Sequence, residues 1–310
     1  MVLYYLLRSM RPRQWSKNLV VFAAITFAGQ LFVPEKFLLV LATFVIFNLM
    51  ASGVYLINDI IDFKRDQVHY FKKNRPIAKG LLSSDLAMKV ALLLISGALL
   101  GGSLINNYLF LMLGVFLSVQ IFYTYYLKHI ALLDILSIAA TFMIRIFAGF
   151  LVVANVEPIT TLSSWLILTT IMVSLFLAIA KRRLELAQMS HKVAAEHRDT
   201  LTNYPTVLLD GMTFMMATAT ILTYSLFTFN EPERNRTFVA SILPQALSTP
   251  KLLMVTIPLV IYGIFRYLYL IYAKKEGESP ERTLLEDLPI LTTSLLWVSS
   301  ILGIVYILNR

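Results

Sequence analysis

The chain has 310 residues, of which 58% are hydrophobic and only 15% charged, with a formal net charge of +9 and a mean hydropathy of +0.72. Soluble globular chains are about 45–50% apolar and about 25% charged, so an ordinary soluble domain is excluded, and a disordered chain even more firmly. The absence of cysteine excludes a disulfide frame, a thiol nucleophile and a Cys-ligated zinc or iron–sulfur site, and the four histidines form no evident cluster.

A helix needs roughly 20 apolar residues to cross the ~30 Å hydrocarbon core. Nine stretches qualify, near 18–33, 37–57, 86–105, 108–127, 130–153, 162–180, 207–229, 252–272 and 288–308. The expected fold is therefore an all-α integral membrane protein, one polytopic domain over 1–310. The first stretch follows the basic run up to Lys17 and is read as a retained helix, since no small-residue cleavage site follows and a short loop leads into the next span. With an internal N-terminus, 19 of the 27 Lys and Arg fall on the internal side. That asymmetry predicts cytoplasmic loops after the second, fourth, sixth and eighth spans. The two long ones, about 58–85 and 181–206, are the expected active-site loops. The external connector 230–250 reads as a simple link.

The loop after the second span begins Asn58-Asp59-Ile60-Ile61-Asp62-Phe63-Lys64-Arg65-Asp66. Asn58, Asp62 and Asp66 fall at i, i+4 and i+8, one face of a continued helix, with Asp59 one step away. Carboxylates so close at a membrane boundary need a cation. Their hard oxygens suit Mg²⁺, which keeps waters and binds one or two carboxylates together with substrate phosphates. The bland alternative is a solvated helix end with Lys64 and Arg65 as local partners. A basic run follows, Lys72, Lys73, Arg75 and Lys79, of types that complement phosphate. His69 orients Asp66 or faces water.

Further along, Tyr123, Tyr125 and Tyr126 suit an interfacial aromatic belt. Asp134 follows the Lys128-His129 turn and has three equal readings: a bond to sugar hydroxyls, a partner for Lys128, or a helix cap. Arg145 lies about 15 residues into the fifth span. An arginine there costs about 2.5–3.5 kcal/mol on insertion scales, so it faces a polar cavity or a partner, with Glu157 and Asp134 as candidates. After the sixth span, Lys181 and Glu185 stand at i, i+4 around Arg182 and Arg183. A positive anchor at a helix end is the plain alternative for this group. Arg266, near the internal end of the eighth span, snorkels or binds a ligand.

The spacing Asn58-Asp59-x-x-Asp62-x-x-x-Asp66 after a second span of nine resembles the first Asp-rich motif of the UbiA prenyltransferase superfamily. The run Arg11-Pro12-Arg13-Gln14-Trp15-Ser16-Lys17-Asn18, His69 with Arg75-Pro76-Ile77-Ala78, Tyr126-Leu127-Lys128-His129 with Asp134, and Lys181-Arg182-Arg183-Leu184-Glu185 resemble its decaprenyl-phosphate phosphoribosyltransferase branch. The resemblance runs from Arg11 to about Tyr204. It implies a nine-helix bundle around a central cavity open to the cytoplasm, in the inner (plasma) membrane with the N-terminus and active site cytoplasmic. It further implies transfer of the 5-phosphoribosyl group from phosphoribosyl pyrophosphate to a polyprenyl phosphate. Its implied metal is Mg²⁺ on Asn58, Asp62 and Asp66, with Asp62, Asp66 and Asp59 catalytic. Its implied substrate-binding residues are Lys17, Arg75, Tyr126, Lys128, Asp134, Arg145, Lys181, Arg182, Glu185 and Arg266. The partners are those two substrates and the bilayer, with no nucleic acid; a homo-oligomer is compatible. One departure stands out: the second Asp-rich motif usual in the superfamily is replaced by Lys181–Glu185, which suits a donor carrying a 5-phosphate beside its diphosphate. The alternatives are an orthodox prenyltransferase using an allylic diphosphate, and a lipid or ion transporter.

Overall fold

The computed structural model describes residues 1–68, 72–154, 162–188, 204–230, 251–274 and 280–308. His69, Glu157, most of the second long loop (189–203) and the connector 231–250 lie outside these residues. Helix α1 (Val2–Ser9) precedes a 3-10 segment, Pro12–Phe22, and a short α2 (Ala23–Phe27). Then come α3 (Pro34–Ile61), α4 (Phe63–Val68), α5 (Ser84–Ile105), α6 (Asn107–Tyr125), α7 (Leu133–Ala154), α8 (Ser164–Gln188) and α9 (Thr206–Asn230). The chain finishes with α10 (Ile257–Tyr269), α11 (Pro280–Glu286) and α12 (Leu288–Leu302).

Among the described residues eight helices are long and apolar enough to cross a membrane. They coincide with the second to ninth expected spans, so the chain is an all-helical, multi-pass membrane protein. Their limits are set by local chemistry. The Ser83 hydroxyl accepts the Leu86 N–H at the start of α5, and the Asn106 side chain accepts the Tyr108 N–H at 2.6 Å at the start of α6. Both occupy orphan donors that have no intrahelical partner. Consecutive helices are neighbours: α3 packs on α5, α5 on α6, α6 on α7, α7 on α8 and α8 on α9. At Gly53 an added Cβ would stand 2.9 Å from the Ala91 carbonyl oxygen, so only glycine lets α3 and α5 cross this closely.

The stretch expected as a uniform first helix over 18–33 is different. It is 3-10 from Pro12 to Phe22, turns into α2, and ends at Gly29 with φ +70°. Tertiary contacts explain this. Asn18 is buried and donates to the Asn48 side chain at 2.6 Å. Val21 presses its carbonyl on Gly149 of α7, where a Cβ would come within 2.0 Å. A polar residue that must reach partners inside the bundle overrides the apolar pattern of the residues after it. The other side of this segment meets the C-terminus: the Tyr306 hydroxyl donates to the Thr26 carbonyl (2.9 Å) and accepts from the Leu31 N–H (2.9 Å). The rings of Phe27 and Phe227 stack edge to face at 4.8 Å.

Candidate active site

Helix α3 and its continuation carry polar residues at 48, 52, 55, 59, 62 and 66 (the last two beyond the end of α3), alternating steps of four and three. That spacing puts them along one helical face. Asn48, Ser52, Asp59 and Asp66 on it are buried. The course stays helical through the break at Asp62: the Asp62 N–H donates to Asn58 and the Asp66 N–H to the Asp62 carbonyl.

The acidic residues fall into two sets. Asp59 and Asp66 share one guanidinium, with Arg75 Nη1 at 3.0 Å from Asp59 Oδ1 and 2.5 Å from Asp66 Oδ2. Arg11 forms a second ion pair with Asp59 and lies over the Tyr55 ring. On the other side, the Thr124 hydroxyl donates to Asn58 Oδ1 at 2.6 Å and Lys128 Nζ sits 2.9 Å from Asp62 Oδ1. Arg75 is held in place by a turn whose Pro76 carbonyl accepts the Leu81 and Leu82 N–H groups. Ile77 and Leu82 of that turn are buried with Leu56 of α3. Among the described residues Lys64 and Arg65 pair with none of these carboxylates; the cations come from three distant segments instead. Burial pushes the Asp66 carboxyl above its ordinary value, against the lowering effect of Arg75 and Lys72.

A second cluster lies where α6, α7, α8 and the start of α9 meet. Arg182 donates through Nε to Asp134 Oδ2 at 2.7 Å, pairs with Glu185 and reaches the Tyr123 hydroxyl at 3.4 Å. The Tyr204 hydroxyl donates to Asp134 Oδ1 at 2.7 Å and accepts the Leu132 N–H at 2.5 Å. Leu132 has φ +70°, a costly conformation for this residue, so Tyr204 pins a strained turn. Burial, helped by the bond to Asp134, pushes the Tyr204 phenol up to about 12, which keeps its proton in place. Next to this cluster, Arg183 Nε is 2.6 Å from Asp210 Oδ1.

Of the three readings for Asp134, the partner for Lys128 is overturned, since Lys128 goes to Asp62; Asp134 holds Arg182 and Tyr204. Arg182, expected in a wall facing phosphate, is 2% exposed, and its charge is already neutralised by two carboxylates. Lys181 is more open, with its ammonium 3.9 Å from Glu185. Lys17 is half-buried on the 3-10 segment, and Tyr126 is exposed, its ring against Phe122. Of the two candidate partners for Arg145, Asp134 is engaged with Arg182 and Tyr204 instead, and Glu157 lies outside the described residues. Arg145 donates to Asn18 Oδ1 (2.5 Å) and the Thr141 carbonyl (2.7 Å), with its guanidinium over the Phe116 ring. Arg266 pairs with Asp287 at 2.8 Å, and Asp287 also accepts the Ile290 N–H at the start of α12. Arg11, Tyr123, Thr124 and Tyr204 are the contributors that single-residue reasoning missed. Tyr123 and Thr124, adjacent on α6, link the two clusters.

Among the described residues no three acidic or histidine side chains converge on one point. Asn58, Asp62 and Asp66 nevertheless offer hard oxygen donors, and a desolvated Asp66 gains from more positive charge. That set suits a divalent cation completed by water and phosphate oxygens rather than a closed protein cage. A cavity of about 470 Å³ opens beside Asp62 and Lys128, between the end of α3 and the end of α6.

The helices thus form a multi-pass membrane protein that carries paired acidic and basic clusters beside a cavity. Residues 18–302 match the UbiA prenyltransferase family, and the chain belongs to that family. It is 33% identical to the decaprenyl-phosphate phosphoribosyltransferase of Mycolicibacterium smegmatis, over 97% of this chain and 92% of that one. It is 31% identical to the protein of the same name from Mycobacterium tuberculosis (95% and 92% covered) and to that of Corynebacterium glutamicum (98% and 87%). Its fold resembles the UbiA homolog of Archaeoglobus fulgidus bound to GPP and Mg²⁺, with a TM-score of 0.66 at 15% identity, covering 97% of this chain and 99% of that one. The family and branch expected from the motifs are thereby borne out.

Proposed function

We propose that this protein transfers the 5-phosphoribosyl group from phosphoribosyl pyrophosphate onto a polyprenyl phosphate. The bond from the anomeric carbon to the diphosphate oxygen breaks, a bond from that carbon to a lipid phosphate oxygen forms, and pyrophosphate leaves. The observation that carries this reading is the near full-length identity to relatives named for that activity. Of the Lys181–Glu185 segment, Lys181 is the open cation that could meet a further phosphate, whereas Arg182 and Arg183 are held by carboxylates.

The residues divide the work. Asn58, Asp62 and Asp66, with Asp59 beside them, would hold Mg²⁺, which neutralises the departing diphosphate when bound. Arg75 and Lys128 already stand against those carboxylates and are placed to reach the same phosphates. Lys17 and Lys181 extend the positive wall. Asp134, Arg182 and Glu185 hold the far wall in shape from behind, with Tyr204 tying the end of the second loop to it. The lipid phosphate is an anion at neutral pH and needs little help from a base; its requirement is to arrive in line with the anomeric carbon. We place the site on the cytoplasmic side, with the 3-10 segment and α2 completing a ninth crossing and 1–310 forming one domain.

The test supplies the purified protein in nanodiscs with labelled phosphoribosyl pyrophosphate and a polyprenyl phosphate, with and without Mg²⁺. A labelled lipid and pyrophosphate are expected only with the metal. No labelled lipid, with pyrophosphate released from an allylic prenyl diphosphate instead, overturns the reading in favour of ordinary prenyl transfer.

A further inference from the structure

Asn58 differs from the carboxylates beside it, because a carboxamide can turn either end to a cation. Its oxygen and nitrogen occupy nearly the same space, yet only the oxygen has lone pairs to offer a metal. The group that settles this comes from another helix. Thr124 of α6 is buried, and its hydroxyl donates to Asn58 Oδ1 at 2.6 Å. A donor at that place is met by the amide oxygen and refused by the NH2. A buried threonine inside a helix ordinarily gives its proton to the carbonyl four residues back, as Thr169, Thr170 and Thr220 do. Thr124 has that carbonyl in reach as well, Gln120 at 2.8 Å, but it has one proton and the Asn58 oxygen is nearer. The Gln120 carbonyl faces the N–H that the helix itself supplies, so it is not orphaned when the hydroxyl turns away.

This bond is one of two rungs between α3 and α6. Asn58 and Asp62 are one helical turn apart, and so are Thr124 and Lys128, whose Nζ is 2.9 Å from Asp62 Oδ1. Oδ1 of Asn58 and Oδ1 of Asp62 therefore face the same neighbour, at two successive levels, beside the cavity that Asp62, Thr124 and Lys128 line. The two rungs differ in charge. Lys128 opposes a metal ion electrostatically, whereas the Thr124 hydroxyl is neutral. An amide oxygen also has a second lone pair, so it can keep the Thr124 proton and ligate a cation together.

We propose that Thr124 is a positioning residue for the divalent cation: it fixes the Asn58 carboxamide with its oxygen presented beside Asp62, and acts through that amide alone. This rests on the proposed metal role of Asn58 and deepens it. Outer contacts that orient a metal ligand carry about 10–100-fold in metal affinity or activity.

The experiment reads Mn²⁺ binding by electron paramagnetic resonance on the full chain in nanodiscs, with pyrophosphate supplying phosphate oxygens and no turnover. Thr124→Val keeps the shape and removes the donor; it is expected to weaken Mn²⁺ binding about 10–100-fold, while Thr124→Ser stays within about threefold of wild type. In an Asn58→Ala background Thr124→Val is expected to add nothing, because the two act as one unit. Unchanged Mn²⁺ affinity in Thr124→Val overturns the inference, as does a Thr124→Ser protein equally weak, or a full further loss in the Asn58→Ala background. Thermal melts accompany each variant: a Thr124→Val protein that loses stability but not Mn²⁺ affinity has a packing role only, which also overturns it. Wild-type protein that follows the expected pattern yet makes no phosphoribosyl lipid keeps the role of Thr124 and removes the proposed reaction.

Discussion

Asp62 and Asp134 are both ion-paired carboxylates at one end of the bundle, yet their surroundings set them apart. Asp62 is 26% exposed and pairs with Lys128, whereas Asp134 is fully buried against Arg182. Partly exposed pairs contribute about 0–1 kcal/mol, while breaking a buried pair costs about 3–5 kcal/mol because a charge is left uncompensated. Asp62→Asn is therefore expected to abolish nearly all turnover with a melting temperature close to wild type. Asp134→Asn is expected to lower the melting temperature markedly, with activity falling in step. Thermal melts in detergent alongside the donor–acceptor assay separate the two; an unstable Asp62→Asn protein would contradict the assignment of that residue to chemistry.

At the scale of elements, the 3-10 segment depends on what α7 presents to it. Gly149→Ala places a Cβ against the Val21 carbonyl, which is backbone and cannot swing aside. The segment or α7 must shift, a cost of roughly 1–3 kcal/mol or more. We expect a lower melting temperature together with lost activity, since Lys17 and Arg11 ride on the same segment; unchanged behaviour in both would argue against this packing. The start of α12 is held by Asp287, which caps the helix and pairs with Arg266. The Arg266 N–H groups hold the Asp287 carboxyl below its ordinary value. A carboxyl lowered on folding contributes stability that is present above its unfolded value near 3.9 and lost as pH falls through the lower folded value. Melting temperature is thus expected to drop on acidification below about pH 4, and Asp287→Asn should flatten that part of the profile. Here Arg266 is an anchor between α10 and α12.

For the whole molecule, the clusters built from α3, α6, α7, α8 and α9 stand at one end of the bundle, as alternating spans require. Which side of the membrane that end faces is read from charge: most Lys and Arg follow the even-numbered spans. The chain contains no cysteine, so single cysteines at Lys64 and Pro34 report sidedness directly. Labelling of the first from the cytoplasm and the second from outside is the expected result; the reverse would invert the topology.

The sequence by itself determined the membrane class, eight of the spans and the family, because apolar length and charge bias are local properties that need no partner. The acidic motif was legible for the same reason: its residues are four apart on one helix. The polar file of Asn48, Ser52 and Tyr55 continuing that motif into α3 was also present in the spacing. What only the tertiary structure decided is which cation meets which carboxylate. Lys64 and Arg65 are nearest along the chain, yet Arg11, Arg75 and Lys128 make the pairs, since helix packing and not sequence distance brings charges within a few ångströms. The same holds for Arg182, which a basic run presented as a phosphate ligand and which burial against Asp134 and Glu185 turns into a brace. The broken first span follows this rule too: its apolar residues favoured a straight helix, and buried bonds from Asn18 to Asn48 and Arg145 outweighed them.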